Sequence, residues 1–166
     1  MRGGLLAAAP ALAFVLLCVG DLRRASATVD EANHLHAGYR ALAKGDFTWN
    51  TEHPPLGKML AALPLLAVSP RLRAEPPSQD VRRRDPARAR ETFDAFVFRD
   101  NGSPETLLLL GRLPVVALGL ALCLAVGRVA QARHGDAAGL LALLLAALDP
   151  NLLAHAGLVT TDVIVA

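Results

Sequence analysis

Residues 3–20 carry no charged side chain, and residues 106–127 carry only one, Arg112. Uninterrupted apolar runs of this length constrain the fold more than any other feature, because about 20 apolar residues form a helix that crosses the roughly 30 Å hydrocarbon core of a bilayer. A soluble core draws its apolar residues from shorter periodic segments. A third apolar block, 137–148, is shorter than a full crossing and is followed by Asp149, Pro150 and Asn151. The expected fold class is an all-α integral membrane protein. Its first helix is expected over 3–20, an outer loop over 21–105, a second helix over 106–127 and a cytoplasmic loop over 128–136. A third helix is expected over 137–150, and an outer turn with the start of a fourth over 151–166. The final stretch LVTTDVIVA stops inside an apolar segment, so the chain is expected to be the N-terminal part of a longer protein.

Orientation follows from the short connection RVAQARHGD, whose Arg128 and Arg133 place it in the cytoplasm by the positive-inside rule. That rule does not extend to loops beyond about 60 residues, so the arginine-rich 21–105 loop has no vote and faces outward. The N-terminus allows a second reading, in which Arg2, an apolar run and the ASA at 25–27 form a secretory signal. The run is longer than a usual signal core, and Asp21, Arg23 and Arg24 separate it from that site. An uncleaved helix is therefore expected, and both readings put residue 30 outside the cytoplasm.

A net charge of +2 gives no footing for a nucleic-acid partner. The basic stretch VRRRDPARAR is interrupted by Asp85 and followed by Glu91 and Asp94, as in a solvated loop. Cys18 and Cys123 each lie in an apolar run, behave as small hydrophobes there, and define no disulfide framework.

Within the outer loop, Leu35, Tyr39 and Leu42 share one helical face, predicting an amphipathic helix over 30–44 that Gly45 and Asp46 terminate. Pro54-Pro55 opens a new helix. The following LGKMLAALPLLAV is too short and interrupted to span and is expected to lie in the membrane interface, with Lys58 reaching headgroups. Residues 71–105 read as irregular. Asn101-Gly102-Ser103 matches an N-glycosylation acceptor, which has force only in a secretory host.

Several side chains are candidates for chemistry. Adjacent Asp30 and Glu31 suit a general base with its neighbour, or equally the favoured acidic first turn of a helix. Asp30 and His34, at i and i+4 on one face, with His53, could bind a divalent metal; His36 reads as a solvated or packing residue. Arg112 either pairs with a phosphate or snorkels from a helix end to headgroups. Asp162 is a metal ligand, an acceptor-orienting group or a helix N-cap after Thr160-Thr161. The expected topology brings Asp30, Arg112 and Asp162 to one membrane face, where ionisable residues are costly and hence functional candidates.

The string DE, then H, then GY..L..GDF..N.EHPPLGK.L..LPLL resembles the first outer loop of the dolichyl-phosphate-mannose protein mannosyltransferase family. It is similar also to the bacterial phospholipid-carrier-dependent glycosyltransferases. The likeness continues through FDAFVFRDN....LLLLGRLPVV and LDPNLLAHAGLVTTD, and so covers nearly the whole chain. The Asp-Glu and HPPLGK combination carries most of its specificity. The resemblance implies the N-terminal part of a multi-spanning C-type glycosyltransferase whose active face is extracytoplasmic and whose outer loop carries juxtamembrane helices. Its implied donor is a polyprenyl-phosphate sugar, and its implied acceptor a hydroxyl on protein, lipid or glycan. Asp30 would be the catalytic base and Glu31 its partner in the motif. Arg112 would bind the donor phosphate, with His53 and Lys58 in the donor neighbourhood. Asp162 would be the second acidic position. No cofactor is certain, though some relatives hold a divalent metal between the positions of Asp30 and Asp162. The mechanism implied is an inverting displacement at the anomeric carbon. The fragment alone would be inactive.

Two other classes keep the same membrane frame: a non-catalytic protein with a lipid- or glycan-binding outer loop, and a metal-binding component using His34, His36 and His53.

Overall fold

The computed structural model describes residues 2–22, 24–74 and 85–165. The described residues are all-helical, without strands. In chain order the helices are α1 (Arg2–Leu22), α2 (Val29–Lys44), α3 (Pro55–Ala62), α4 (Leu65–Val68), α5 (Pro86–Phe98), α6 (Pro104–His134), α7 (Asp136–Ala147), α8 (Pro150–Ala156) and α9 (Asp162–Val165). They group into two compact units. One holds Met1–Ala25, Val115–Leu158 and Asp162–Ala166, the other Ser26–Pro114 and Val159–Thr161.

In the first unit, α6 and α7 form a helical hairpin. Its turn is Gly135, whose φ of 89° is left-handed territory open to glycine. The hairpin packs closely because its facing positions are small: a Cβ on Gly127 would lie 2.9 Å from the Cβ of Leu143, and one on Gly139 3.0 Å from the Gly127 carbonyl oxygen. Small residues are the usual means by which apolar helices approach one another in lipid. Phe14 of α1 is fully buried at Gly119, where a Cβ would come within 2.9 Å of its ring.

Among the described residues α6 alone is a single helix long and apolar enough to cross a membrane. α7 and α8 reach that length only together, as a pair bent by 58°. The side chains described in α1 make an apolar helix over Ala7–Leu22, shorter than a full crossing. The sequence boundaries need two corrections here. The expected cytoplasmic loop at 128–136 is mostly helix, since α6 runs on to His134 and only Gly135 breaks the path. The expected third helix stops at Ala147, because Asp149 accepts a 2.8 Å hydrogen bond from the Leu152 amide and starts α8 with Pro150 in its first turn.

The second unit is built on α2. Thr28 precedes the helix and donates its backbone N–H to the Glu31 carboxylate at 2.9 Å. Gly45, at φ 64°, closes the helix with its N–H on the Ala41 carbonyl, the left-handed stop expected of glycine. α3 begins at Pro55 and packs on α2 so closely that a Cβ at Gly38 would fall on the Lys58 carbonyl. α5 buries Phe93, Phe96 and Val97. The rings of Phe93 and Phe96 each lie 5.3 Å from that of His36, with Trp49 4.9 Å away. His36 is thus a core residue.

Part of the 71–105 stretch, expected to be irregular, is therefore an ordered helix. Asp85 accepts from the Arg88 amide and Pro86 occupies the first turn, a combination that starts a helix well. Residues 75–84, which include much of the basic run, lie outside the described residues. Asn101 is also not the free acceptor its motif suggests. Its side chain accepts from the Arg71 amide and donates to the Arg71 and Phe96 carbonyls, tying the 70–73 segment to the end of α5.

Candidate functional site

The adjacent acids of α2 have different environments. Glu31 is fully buried. Its Oε1 and Oε2 accept from Arg112 Nε and Nη2, both at 2.8 Å. They also accept the backbone N–H groups of Val159 at 3.1 Å and Thr28 at 2.9 Å. Burial alone would push this carboxyl upward, but the Arg112 hydrogen bonds, the two amides and the guanidinium charge outweigh it and hold Glu31 below its ordinary value. Glu31 therefore stays ionised and is saturated with donors.

Asp30 is exposed. It lines a cleft of about 180 Å³ with Asn33, one turn along α2, and with Arg90 and Asp94 of α5. The Asn33 side-chain oxygen is buried and without a hydrogen-bond partner among the described residues. A carboxylate, an amide and a guanidinium thus share one small opening. Sequence reasoning missed Arg90, which sits in a run that looked like solvated charge. The signal available was the Asp85-Pro86 helix start, which fixes the register of α5.

Arg112 is only 1% exposed, and its Nη2 also donates to the Ser26 carbonyl at 3.2 Å. It does not snorkel to headgroups but clamps the first turn of α2. The expected interfacial role of Lys58 is likewise corrected. Its ammonium is buried and donates to the carbonyls of Asn50 and, at 2.8 Å, His53.

His34 is buried, and its Nδ1 lies 2.9 Å from the Val159 carbonyl. A carbonyl only accepts, so Nδ1 carries the proton in this bond. Burial lowers the His34 pKa, against the pull of that hydrogen bond, which leaves the imidazole neutral. His53 meets it edge-on, with ring centroids 5.3 Å apart. His36 points into the aromatic core, so the three histidines do not converge. Among the described residues no group of three or more His, Cys, Asp or Glu side chains could hold a metal ion. Asp162 belongs to the other unit, where it opens α9 and pairs with His155 Nδ1 at 3.2 Å.

No family model, curated protein or solved structure gives a significant match to the chain. The functional reading therefore rests on the sequence resemblance and on the geometry above.

Proposed function

We propose that the chain is part of a multi-spanning membrane glycosyltransferase that moves a sugar from a polyprenyl-phosphate donor to an acceptor hydroxyl at the outer membrane face. The observation that carries this reading is the division of labour between neighbours. Glu31 is locked by Arg112 and two amides, and this holds Asp30 at the edge of a polar cleft. Asp30 is the general base that takes the acceptor proton as the hydroxyl oxygen attacks the anomeric carbon. The bond from that carbon to the donor phosphate oxygen breaks, and the lipid phosphate leaves with the electron pair.

A cation beside the leaving phosphate stabilises charge that grows in the transition state. Arg90 lines the Asp30 cleft and is exposed, whereas Arg112 spends its guanidinium on Glu31 and Ser26. We therefore give the phosphate contact to Arg90. Arg112 positions the α2 turn, and His53 and Lys58 shape the neighbouring loop. Asp162 keeps its proposed place as the second acidic position.

The test is sugar transfer by the protein expressed from its full reading frame and reconstituted in liposomes with a labelled polyprenyl-phosphate hexose. Transfer that disappears in Asp30→Asn supports the reading. Undiminished transfer in that variant removes the proposed base.

A further inference from the structure

The α6–α7 hairpin carries a groove of about 330 Å³, with Ala7 of α1 on one wall. The volume is of the order found in ligand pockets. Farther from the Gly135 turn the groove is apolar, lined by Leu124 of α6 and by Leu140 and Leu143 of α7. Nearer the turn it is polar. Arg128 and Gln131 line it from the last two turns of α6, and Asp136 from the first turn of α7.

Arg128 and Asp136 are both exposed and of opposite charge, yet they do not pair with one another. Arg128 makes no hydrogen bond or ion pair among the described residues. Asp136 accepts at Oδ1 from Gln131 Nε2 at 2.8 Å, which holds the carboxylate at the rim. Its Oδ2 has no partner among the described residues. Arg128 is also the first charge after the apolar run 113–127, and α6 is long and apolar enough to cross a bilayer. The polar rim therefore stands where the hydrocarbon core gives way to headgroups.

We propose that this groove is a binding site for an aminophospholipid, whose headgroup joins a phosphate to a primary ammonium, as in phosphatidylethanolamine. The phosphate accepts from the Arg128 guanidinium, the ammonium donates to Asp136 Oδ2, and one acyl chain lies over Leu124, Leu140 and Leu143. A purely anionic lipid suits Arg128 but sets its charge beside Asp136. A phosphatidylcholine headgroup carries both charges but has no N–H to donate, so it loses the hydrogen bond to Asp136. A second copy of the chain, or another helix packed there, would take two charges that do not pair with each other out of water, which is costly. A headgroup answers both charges and leaves them at the water surface. The site rests on the membrane part of the proposed function and is independent of sugar transfer.

The protein expressed from its full reading frame is purified in detergent and stripped of lipid. It is then titrated with phosphatidylethanolamine, phosphatidylcholine and phosphatidylglycerol of identical acyl chains, and bound lipid is counted by native mass spectrometry. One phosphatidylethanolamine per chain is expected, held about tenfold more tightly than either other lipid, as suits one charge-assisted hydrogen bond. Arg128→Gln should weaken it about tenfold, and Asp136→Asn should abolish the preference over phosphatidylcholine. Both side chains are exposed, and the lipid series on the unaltered protein keeps the test valid where a variant fails to fold. The proposal is overturned by equal binding of the three lipids, by tighter binding of phosphatidylglycerol, or by phosphatidylethanolamine binding indifferent to both substitutions. Absence of bound phosphatidylethanolamine, as when a second copy or another segment fills the groove, overturns it as well. Selective lipid binding by a protein that transfers no sugar would spare the site and sink the proposed activity. Sugar transfer without lipid selectivity would do the reverse.

Discussion

Glu31 and Arg112 lie 81 residues apart in sequence and meet through two 2.8 Å hydrogen bonds in a site almost closed to solvent. Removing one partner from such a pair leaves a buried charge uncompensated, which costs about 3–5 kcal/mol. Arg112→Met and Glu31→Gln should each lower Tm markedly in detergent. The double variant should recover much of the loss, because Gln keeps an oxygen for the Thr28 or Val159 amide. A double variant no more stable than either single one would show that the pair does not act as a unit. The Glu31 pKa is lowered on folding from an ordinary 4.5, so its contribution is complete above that value. It fades as pH falls through the lower folded value.

Asp30 and Arg90 should separate by kinetics. Asp30→Asn removes a base from an exposed position, so stability should move by no more than about 0.5 kcal/mol. Turnover should fall about 10²–10⁴-fold. Arg90→Gln should raise donor KM, about tenfold or more for a charge-assisted bond of roughly 1.5–3 kcal/mol. If Arg90→Gln leaves KM and kcat unchanged, the phosphate contact lies elsewhere.

Two glycines test how rigid the packing on α2 is. A Cβ at Gly38 meets the backbone carbonyl of Lys58, whereas one at Gly111 meets the terminal methyls of Leu35. Backbone cannot rotate away as a side chain can. Gly38→Ala should therefore reach or exceed the upper end of the about 1–3 kcal/mol typical of overpacking, and Gly111→Ala should cost less. Thermal melts of both variants check the order. The reverse order would mean that α3 shifts more easily than Leu35 repacks.

Much of the fold was legible where periodicity and stop signals agreed. The apolar faces of α2, its end at Gly45 and the start of α3 at Pro55 all follow from local chemistry. The 71–105 stretch was misread because its Arg, Pro and Asp content was treated as composition. Asp85-Pro86, Ser103-Pro104 and Asp149-Pro150 all place a capping side chain before a proline in a first turn, and all three begin helices. Glu31 rather than Asp30 was legible as the inward acid, because it lies one turn before Leu35 on the apolar face of α2 and three residues after Thr28. Its partner was not legible, since nothing local in the sequence joins it to an arginine 81 residues away or to the amide of Val159. The buried Lys58 escaped for a related reason: its acceptors are backbone carbonyls, which leave no mark in a sequence.

His36 gives the chain a built-in sensitivity to acid. Burial first, and then the nearby Arg40 charge, push its pKa down to about 3, against the attraction of Asp46. In the unfolded chain the imidazole titrates near its ordinary 6.5. Between these values the unfolded state binds more protons than the folded one, so stability rises with pH across the window and is lost as pH drops from 6.5 towards 3. One group of this kind contributes a slope of up to about 1.4 kcal/mol per pH unit. Glu31 adds to the acid loss only below its ordinary 4.5, so the interval from pH 6.5 to 5 isolates the buried histidines, His36 and the likewise lowered His34. His36→Phe keeps a ring against Trp49, Phe93 and Phe96 and removes the proton site. It should reduce the pH dependence of Tm over that interval to the share that His34 contributes, while leaving the loss below 4.5. An unchanged slope in His36→Phe would assign the acid sensitivity to another group, for which His34, also buried with a lowered pKa, is the next to replace.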